Sequence, residues 1–165
     1  MTEVLVHPPI DGNLFRRVLG HHATGVAVIT AAGEEDQCVG MAVTSFTSVS
    51  LDPPLVAFCP DKRSSTWQHI AAAGRFCVNL LAEDQEPVCR AFASRGGDKF
   101  AGIGHAISPN GVPVIDGALA TIECAVHDVL EGGDHYIVLG RVLDLDADTN
   151  AKPLLFFQSC YARLV

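Results

Sequence analysis

The sequence predicts a mainly β protein: an antiparallel β-barrel that carries a few short α-helices. Its apolar segments are mostly short, rich in β-branched residues and joined by turn-forming residues, as is typical of neighbouring antiparallel strands. They also lack the regular strand–helix alternation of a doubly wound parallel sheet. We expect a single domain over residues 1–165, in which residues 1–12 are a loose N-terminal lead.

Up to residue 60, the pattern predicts one helix and three strands. Asp11 caps the helix, apolar residues recur at helical spacing after it, and Gly20 ends it. Residues 26–30 and 38–43 are apolar runs on either side of a turn-rich segment, so we expect them to form a hairpin. Two adjacent prolines then end any ladder, and residues 55–59 resume as a buried strand.

After residue 60, two helices are followed by a strand-rich third of the chain. Ser64 or Ser65 caps the first of these helices, which runs to about Ala73 and is ended by Gly74. The second is predicted over residues 83–93, with a proline near its first turn, and a glycine-rich loop follows it. In total we expect three short helices and seven or eight strands, the later strands covering residues 75–81, 118–130, 135–145 and 154–157.

Composition and charge exclude several classes of function. The chain has 11 Lys and Arg against 19 Asp and Glu, a formal net charge of −8, which argues against nucleic acid or an anionic membrane as its partner. No apolar run approaches the ~20 residues of a membrane-spanning helix, and the N-terminus lacks the pattern of a secretion signal. We therefore expect a cytoplasmic protein.

The cysteines and histidines do not suggest a metal or hydrolase site. The six cysteines include no CxxC pair and mostly stand inside apolar runs, so we interpret them as reduced packing residues. The histidines show no HExxH spacing, and the chain has no GxSxG. A zinc centre and an α/β-hydrolase are thus disfavoured, and no metal is expected.

A run of hydroxyl side chains is the most unusual local composition. Five of the seven residues from Thr44 to Ser50 are Ser or Thr. Their hydroxyls, together with unpaired backbone N–H groups, suit the polar edges of a planar heteroaromatic ring. An edge strand whose hydroxyls face water is the alternative interpretation of this stretch.

Three further segments combine charge with a special backbone. Lys62 and Arg63 precede hydroxyl residues that open a helix, a combination that either binds phosphate or simply caps the helix. Residues 132–135 place an Asp-His pair at a hairpin tip. The histidine there either has a function or is simply part of the turn. The loop from Arg95 to Phe100 either covers a ligand or lies free on the surface.

The order of these features resembles the flavin reductase-like family, whose fold is the FMN-binding split barrel. The resemblance covers roughly residues 13–162. It is closest to the short reductase components that feed reduced flavin to two-component monooxygenases. The matching segments are TGVAVIT at 24–30, GMAVTSFTSVSLDPPLV at 40–56, SST at 64–66, GRFCVNLL at 74–81, DKF at 98–100, GDH at 133–135 and GRV at 140–142.

The resemblance implies a role for each matched segment. The hydroxyl run would line the isoalloxazine ring of FMN or FAD, the helix start would bind the phosphate, and the glycine-rich loop would approach the flavin. His135, the candidate catalytic residue, would position the nicotinamide of NADH or NADPH or relay a proton. The candidate flavin-binding residues are Thr44, Ser45, Phe46, Thr47, Ser48, Val49, Ser50, Arg63, Ser64, Ser65, Thr66, Lys99 and Phe100.

The activity that the resemblance implies is NAD(P)H:flavin oxidoreduction, with hydride transfer from C4 of the nicotinamide to N5 of the flavin. Because the cofactors supply this chemistry, the protein mainly has to stack and orient the two rings. The resemblance also implies a homodimer, and a flavin-dependent monooxygenase that receives reduced flavin by diffusion. The alternatives are a flavin-binding split-barrel protein that is not a reductase, and a dimerisation or haem-binding module with His127 as its candidate ligand.

Overall fold

The computed structural model describes residues 8–148 and 150–165, so residues 1–7 of the predicted N-terminal lead lie outside the described residues. Strands make up 46% and helices 17% of the structure, which confirms the predicted mainly β class. The α-helices in the described residues are α1 (Gly12–Leu19), α2 (Ser65–Ala73) and α3 (Glu86–Ala93). The strands there are β1 (Thr24–Gly25), β2 (Ala27–Ala32), β3 (Cys38–Val43), β4 (Thr47–Leu51), β5 (Pro54–Phe58), β6 (Arg75–Leu80), β7 (His105–Ile107), β8 (Pro113–Ile115), β9 (Ala120–Gly132), β10 (His135–Ala147), β11 (Leu155–Phe157) and β12 (Cys160–Ala162).

The strands form one large sheet and two small ones, and their pairs are antiparallel. The large sheet has seven strands in the order β3-β2-β6-β9-β10-β5-β4. The other sheets are β1-β11-β12 and β7-β8. The long β9–β10 hairpin joins the two halves of the large sheet, since β9 pairs with β6 and β10 pairs with β5. This is the antiparallel organisation that the short, turn-linked strands predict.

Two clusters of buried side chains form the core. In the larger cluster the ring of Phe58 meets Phe76 and Trp67 edge-on, with centroids 5.3 and 5.9 Å apart. In the smaller one Phe92 of α3 meets Phe100, with centroids 4.9 Å apart. Burying each such side chain contributes about 1.5–3 kcal/mol. The smaller cluster therefore fixes α3 and the loop that contains Phe100 against the sheet.

Helices α1 and α2 begin where the sequence predicts. The Asp11 carboxylate accepts the backbone N–H of Leu14 at 3.0 Å, and the Ser64 hydroxyl accepts that of Trp67 at 3.2 Å. Gly74 ends α2 with a φ of 70°, a left-handed conformation that suits glycine. The α-helices of the described residues have eight or nine residues, whereas a membrane-spanning helix needs about 20 apolar ones.

Other boundaries differ from the sequence prediction. Helix α3 begins at Glu86 rather than at residue 83, because the Gln85 side chain accepts the backbone N–H of Ala82 at 3.0 Å and holds the preceding residues in a turn. The hydroxyl run contributes β4, which turns back onto β5 at the two prolines. The remaining unpredicted strands, β1, β7, β8 and β12, have two or three residues each, too few to show an alternating pattern.

The β7–β8 hairpin is fixed to the large sheet by a buried amide. The Asn79 side chain donates to the Val28 carbonyl at 3.0 Å and accepts the backbone N–H of Ile115 at 2.8 Å. Ile115 is paired in turn with His105 across the hairpin. Leaving a buried polar group without its partner costs about 1–3 kcal/mol, so Asn79 strongly favours this one position of the hairpin. The position of His105 follows from it.

Candidate functional site

Two adjoining clefts lie beside the start of α2. The first, which we call cleft A, has a volume of about 790 Å³ and lies between the start of α2, the end of α3 and the loop after α3. The second, cleft B, has a volume of about 600 Å³ and extends along the start of β3 to His105. Thr66, Gly97 and Lys99 line both clefts, which therefore meet at these three residues.

The start of α2 presents hydrogen-bond donors to cleft A. Ser64 caps the helix through its hydroxyl, and Ser65 and Thr66, in the first turn, also line the cleft. The backbone N–H groups of Ser65 and Thr66 have no acceptor within the described part of the chain. Free N–H groups and the positive end of the helix dipole favour an anion. The predicted phosphate site thus has a suitable set of donors.

A carboxylate holds the guanidinium of Arg63 at the rim of cleft A. Asp61 accepts from Nε of Arg63 at 3.1 Å, from Nη2 at 2.8 Å and from its backbone N–H at 2.8 Å. The Arg63 hydrogen bonds hold the pKa of Asp61 well below its usual range. Because guanidinium carries five N–H donors, Arg63 keeps others for a ligand.

The Gly-Asp-His hairpin tip contacts the same loop, which brings together two motifs that are far apart in the sequence. His135 forms an antiparallel bridge with Asp61, and the backbone N–H of Lys62 donates to the Asp134 carbonyl at 3.1 Å. The Lys62 ammonium forms an ion pair with Glu131 and lies 5.2 Å from the centre of the Tyr136 ring. The tip is thereby tied to the segment that begins the predicted phosphate site.

His135 is oriented by its neighbour in sequence. Its Nδ1 lies 2.7 Å from Oδ1 of Asp134, and its side chain is 42% exposed. The contact with His135 lowers the pKa of Asp134, so this carboxyl is ionised near neutral pH and accepts a hydrogen bond from Nδ1. This arrangement assigns the hydrogen to Nδ1 in the neutral ring and leaves Nε2 for another partner.

Lys99 stands at the junction of the two clefts, and Phe100 belongs to the core beside it. The Lys99 ammonium donates to the Phe92 carbonyl at 3.1 Å and to the Gly40 carbonyl at 3.4 Å. Burial lowers the pKa of Lys99. An ammonium group has three donors, so Lys99 keeps one for a ligand. Phe100 is 8% exposed and contacts Phe92 and His105, so it contributes a wall of cleft B.

The hydroxyl run lies elsewhere. Its strand, β4, is an edge of the large sheet, and its residues do not line cleft A or cleft B of the described structure. Ser45 accepts the backbone N–H of Cys59 at 2.9 Å, and Phe46 packs against the larger core. Thr44 lines a separate apolar cleft of about 180 Å³. Thr44, Thr47, Ser48 and Val49 are exposed and Ser50 is half-buried. In this single chain the run is an open edge strand, and its contact with a flavin stays a prediction.

Cleft B contains residues that sequence reasoning set aside. The sulfur of Cys38 lies 3.8 Å from Nε2 of His105, and Nδ1 of His105 is 2.9 Å from the Ile103 carbonyl. Cys38 is half-buried and His105 is exposed. Burial, and to a lesser extent the charge of Asp98, raises the pKa of the Cys38 thiol. No motif spacing links the two residues, because only the β7–β8 hairpin brings His105 back to the start of β3.

Comparisons with known proteins test the family resemblance that the motifs suggest. The Flavin reductase like domain matches residues 19–164 of this chain. A flavin reductase of Pseudomonas putida is 49% identical over 164 residues, covering 98% of this chain and 96% of that protein. The reductase subunit HsaB of a flavin-dependent monooxygenase from Rhodococcus jostii is 47% identical over 152 residues, covering 92% of this chain and 77% of that protein.

Solved structures agree with the sequence matches. The NADH:FAD oxidoreductase SgcE6 of Streptomyces globisporus, in complex with NAD and FAD fragments, superimposes with a TM-score of 0.91 at 37% identity, covering 98% of both chains. A nitrilotriacetate monooxygenase component B homologue from Mycobacterium thermoresistibile gives a TM-score of 0.90 at 50% identity, covering 93% of this chain and 86% of that one. The resemblance drawn from the ordered motifs is confirmed: this chain belongs to the flavin reductase-like domain family.

Proposed function

We propose that this chain is an NAD(P)H-dependent flavin reductase, which transfers hydride from NADH or NADPH to FMN or FAD and supplies reduced flavin to a partner monooxygenase. The observation that carries the proposal is the contact between the Gly-Asp-His tip and the start of α2, through His135, Asp61 and Lys62. This contact puts an oriented imidazole close to a set of anion-binding donors. The names of the relatives support the same activity and the monooxygenase partner.

The donors at cleft A suit the phosphate of a flavin nucleotide. The free N–H groups of Ser65 and Thr66, their hydroxyls and the guanidinium of Arg63 all belong to the lining of this cleft. They combine point charge, helix dipole and directional hydrogen bonds, which together favour a phosphate monoester. The Asp61 carboxylate partly neutralises Arg63 and keeps it in place, so little side-chain freedom is lost when an anion binds.

The chain's own residues have a positioning task in this mechanism. When bound, the flavin and the nicotinamide supply the hydride-transfer chemistry, and the protein supplies orientation and exclusion of water. We propose that His135, held by Asp134, uses Nε2 to orient the nicotinamide nucleotide or to relay a proton. The hydroxyl run from Thr44 to Ser50 is proposed to line the flavin ring, mainly through its backbone, and Lys99 and Phe100 to approach the flavin from the loop after α3.

We further propose a cytoplasmic homodimer. All six cysteines are free thiols, as expected in a reducing compartment. Several large apolar side chains of β4, β9 and β10 are exposed in the single chain, and a second copy that covers them would remove apolar surface from water. A dimer would also change the surroundings of β4, the edge strand that carries the hydroxyl run.

The activity is tested by mixing the purified protein with NADH or NADPH and with FMN, FAD or riboflavin, and following the loss of nicotinamide absorbance. We expect rapid oxidation of at least one nicotinamide with at least one flavin, and bleaching of the flavin when oxygen is removed. A protein that binds flavin without oxidising either nicotinamide is a flavin carrier, and that result would overturn the reductase proposal. If the protein binds no flavin, the proposals of a flavin reductase and of a flavin carrier are both wrong.

A further inference from the structure

Most of the described lining of cleft B lies outside the contacts proposed above, since it shares with them Thr66, Lys99 and Phe100. Ligand sites for small molecules typically enclose about 300–1,000 Å³, and cleft A, at about 790 Å³, already falls in this range. Cleft B adds about 600 Å³, a second volume of the same class. Since the two clefts meet at Thr66, Gly97 and Lys99, they can hold one ligand that has two parts.

The charged side chains are distributed unequally between the two clefts, and this distribution suits a dinucleotide. In the described residues, the lining of cleft A has the cations Arg63, Arg95 and Lys99 against one carboxylate, that of Asp61. Cleft B shares Lys99 but has no other Lys or Arg in its described lining, and its carboxylate is that of Asp98. Phosphate groups are therefore favoured in cleft A and at the Lys99 junction, and an uncharged group is favoured in cleft B.

The lining of cleft B suits a purine nucleoside. Phe100 and His105, whose ring centroids are 4.7 Å apart, provide an aromatic wall. Asp98 uses Oδ1 to accept the backbone N–H of Phe100 at 3.0 Å, which leaves Oδ2 as an acceptor for ribose hydroxyls. Gln37 provides an amide that can both donate and accept at a base edge. An aromatic wall with a few polar groups is the usual composition of a nucleoside site.

We propose that cleft B binds the adenosine half of FAD while the flavin half occupies the cleft A side, so that this chain prefers FAD to FMN. The inference rests on the proposed function, because it concerns which flavin that site takes. The pyrophosphate would then pass Lys99, whose ammonium is already fixed by two carbonyl groups and keeps one donor free. FMN has no adenosine and would leave cleft B unused.

The first test compares the dissociation constants of FAD and FMN by quenching of flavin fluorescence. We expect the wild-type protein to bind FAD more tightly than FMN. In His105→Ala, loss of the aromatic contact should weaken FAD binding by about two- to tenfold and leave FMN binding unchanged. His69→Ala is the matched control, since His69 is also exposed but lines neither cleft.

The second test needs no enzymatic turnover. Cys38 lines cleft B, whereas Cys160 is exposed on β12 and lines neither cleft. Peptide-resolved mass spectrometry after alkylation at mildly alkaline pH should show that FAD slows labelling of Cys38 more than FMN does. Labelling of Cys160 should be the same with either flavin. The rate at which Cys38 is labelled depends on whether cleft B is occupied and not on hydride transfer.

The results of these two tests decide whether cleft B binds the adenosine half of FAD. Equal affinities for FAD and FMN, or equal weakening of both in His105→Ala, would overturn it even if both flavins are reduced normally. Protection of Cys38 by NAD⁺ alone but not by FAD would assign cleft B to the nicotinamide dinucleotide instead. If no flavin binds to the wild-type protein, the proposed function itself is wrong, and the preference for FAD fails with it.

Discussion

The pair formed by Asp134 and His135 gives a residue-scale prediction. Changing His135 to Ala removes an imidazole that Asp134 holds at 2.7 Å. The tip contacts the segment before α2 through backbone pairing with Asp61 and Lys62, which this change keeps. The contact that Nε2 would make with the nicotinamide nucleotide is then lost. A typical hydrogen bond contributes about 0.5–1.5 kcal/mol, so we expect the KM for NADH to rise about two- to tenfold. The Kd for flavin should change less than twofold.

Steady-state kinetics with NADH, together with flavin titration, check this prediction. His127→Ala is the matched control, because His127 is an exposed histidine of β9 in the same hairpin. It should leave both constants unchanged. An unchanged KM for NADH in His135→Ala would remove the proposed nicotinamide role of this residue.

The buried cysteines give a second prediction at this scale. Burial, with a smaller contribution from nearby charge, raises the pKa of Cys77 and of Cys124 to about 12. At about pH 8 only about one such thiol in 10,000 is ionised, and the thiolate is the reactive form. Iodoacetamide should therefore label Cys160 and leave Cys77 and Cys124 unlabelled in the native protein. Labelling of all three at equal rates would contradict their role as packing residues.

At the scale of elements, β10 packs closely at Gly140 against side chains of β6 and β9. A Cβ atom there would stand 2.5 Å from Cζ of Phe76 and 3.2 Å from Cβ of Cys124. Because Phe76 is fully buried, it has little room to move, and we expect Gly140→Ala to lower the free energy of unfolding by about 1–3 kcal/mol.

Urea unfolding followed by circular dichroism measures this loss. Gly25→Ala is the control, since a Cβ atom at Gly25 of β1 would have no neighbour within 4 Å. Its free energy of unfolding should stay within about 0.5 kcal/mol of the wild-type value. Equal stability of the two variants would show that the Phe76 ring moves aside easily.

Some elements are predictable from local signals and others are not. Helix α2 could be placed because Ser64 and Gly74 are a capping side chain and a left-handed terminator, both encoded within a few residues. The β7–β8 hairpin could not, since its strands have three residues each and depend on the buried side chain of Asn79. Cleft B was missed for the same reason, because that hairpin brings His105 to Cys38.

Across the whole molecule, the order of motifs identified the family, but their distances in space came from the fold. The sequence separates the Gly-Asp-His tip from Asp61 by about seventy residues, and pairing of β10 with β5 brings them into contact. The hydroxyl run was the most prominent motif, yet β4 lies at the edge of the large sheet and apart from the two clefts. A local composition cannot reveal what covers an edge strand.

The β9–β10 hairpin suggests what a second copy would cover. Five of its large apolar side chains are exposed in the single chain, an arrangement that an antiparallel sheet in contact with water would not favour. Leu145 is the most exposed, at 65%. We call this set the exposed hairpin residues, and it consists of Val129, Leu130, Ile137, Leu143 and Leu145. Leu130 and Ile137 are paired across the two strands and so share a face, whereas Val129 points to the opposite one.

If two copies pack through the exposed hairpin residues, light scattering should give twice the chain mass of 17.5 kDa. Leu143→Glu should shift the protein towards the monomer, because burying an unpaired carboxylate in an apolar interface is strongly unfavourable. Leu164→Glu is the matched control: Leu164 is 51% exposed and Leu143 is 44% exposed, but Leu164 follows the last strand. A monomeric wild-type protein would contradict the homodimer. A dimer unaffected by Leu143→Glu, in a variant whose circular dichroism is native, would place the interface on another face.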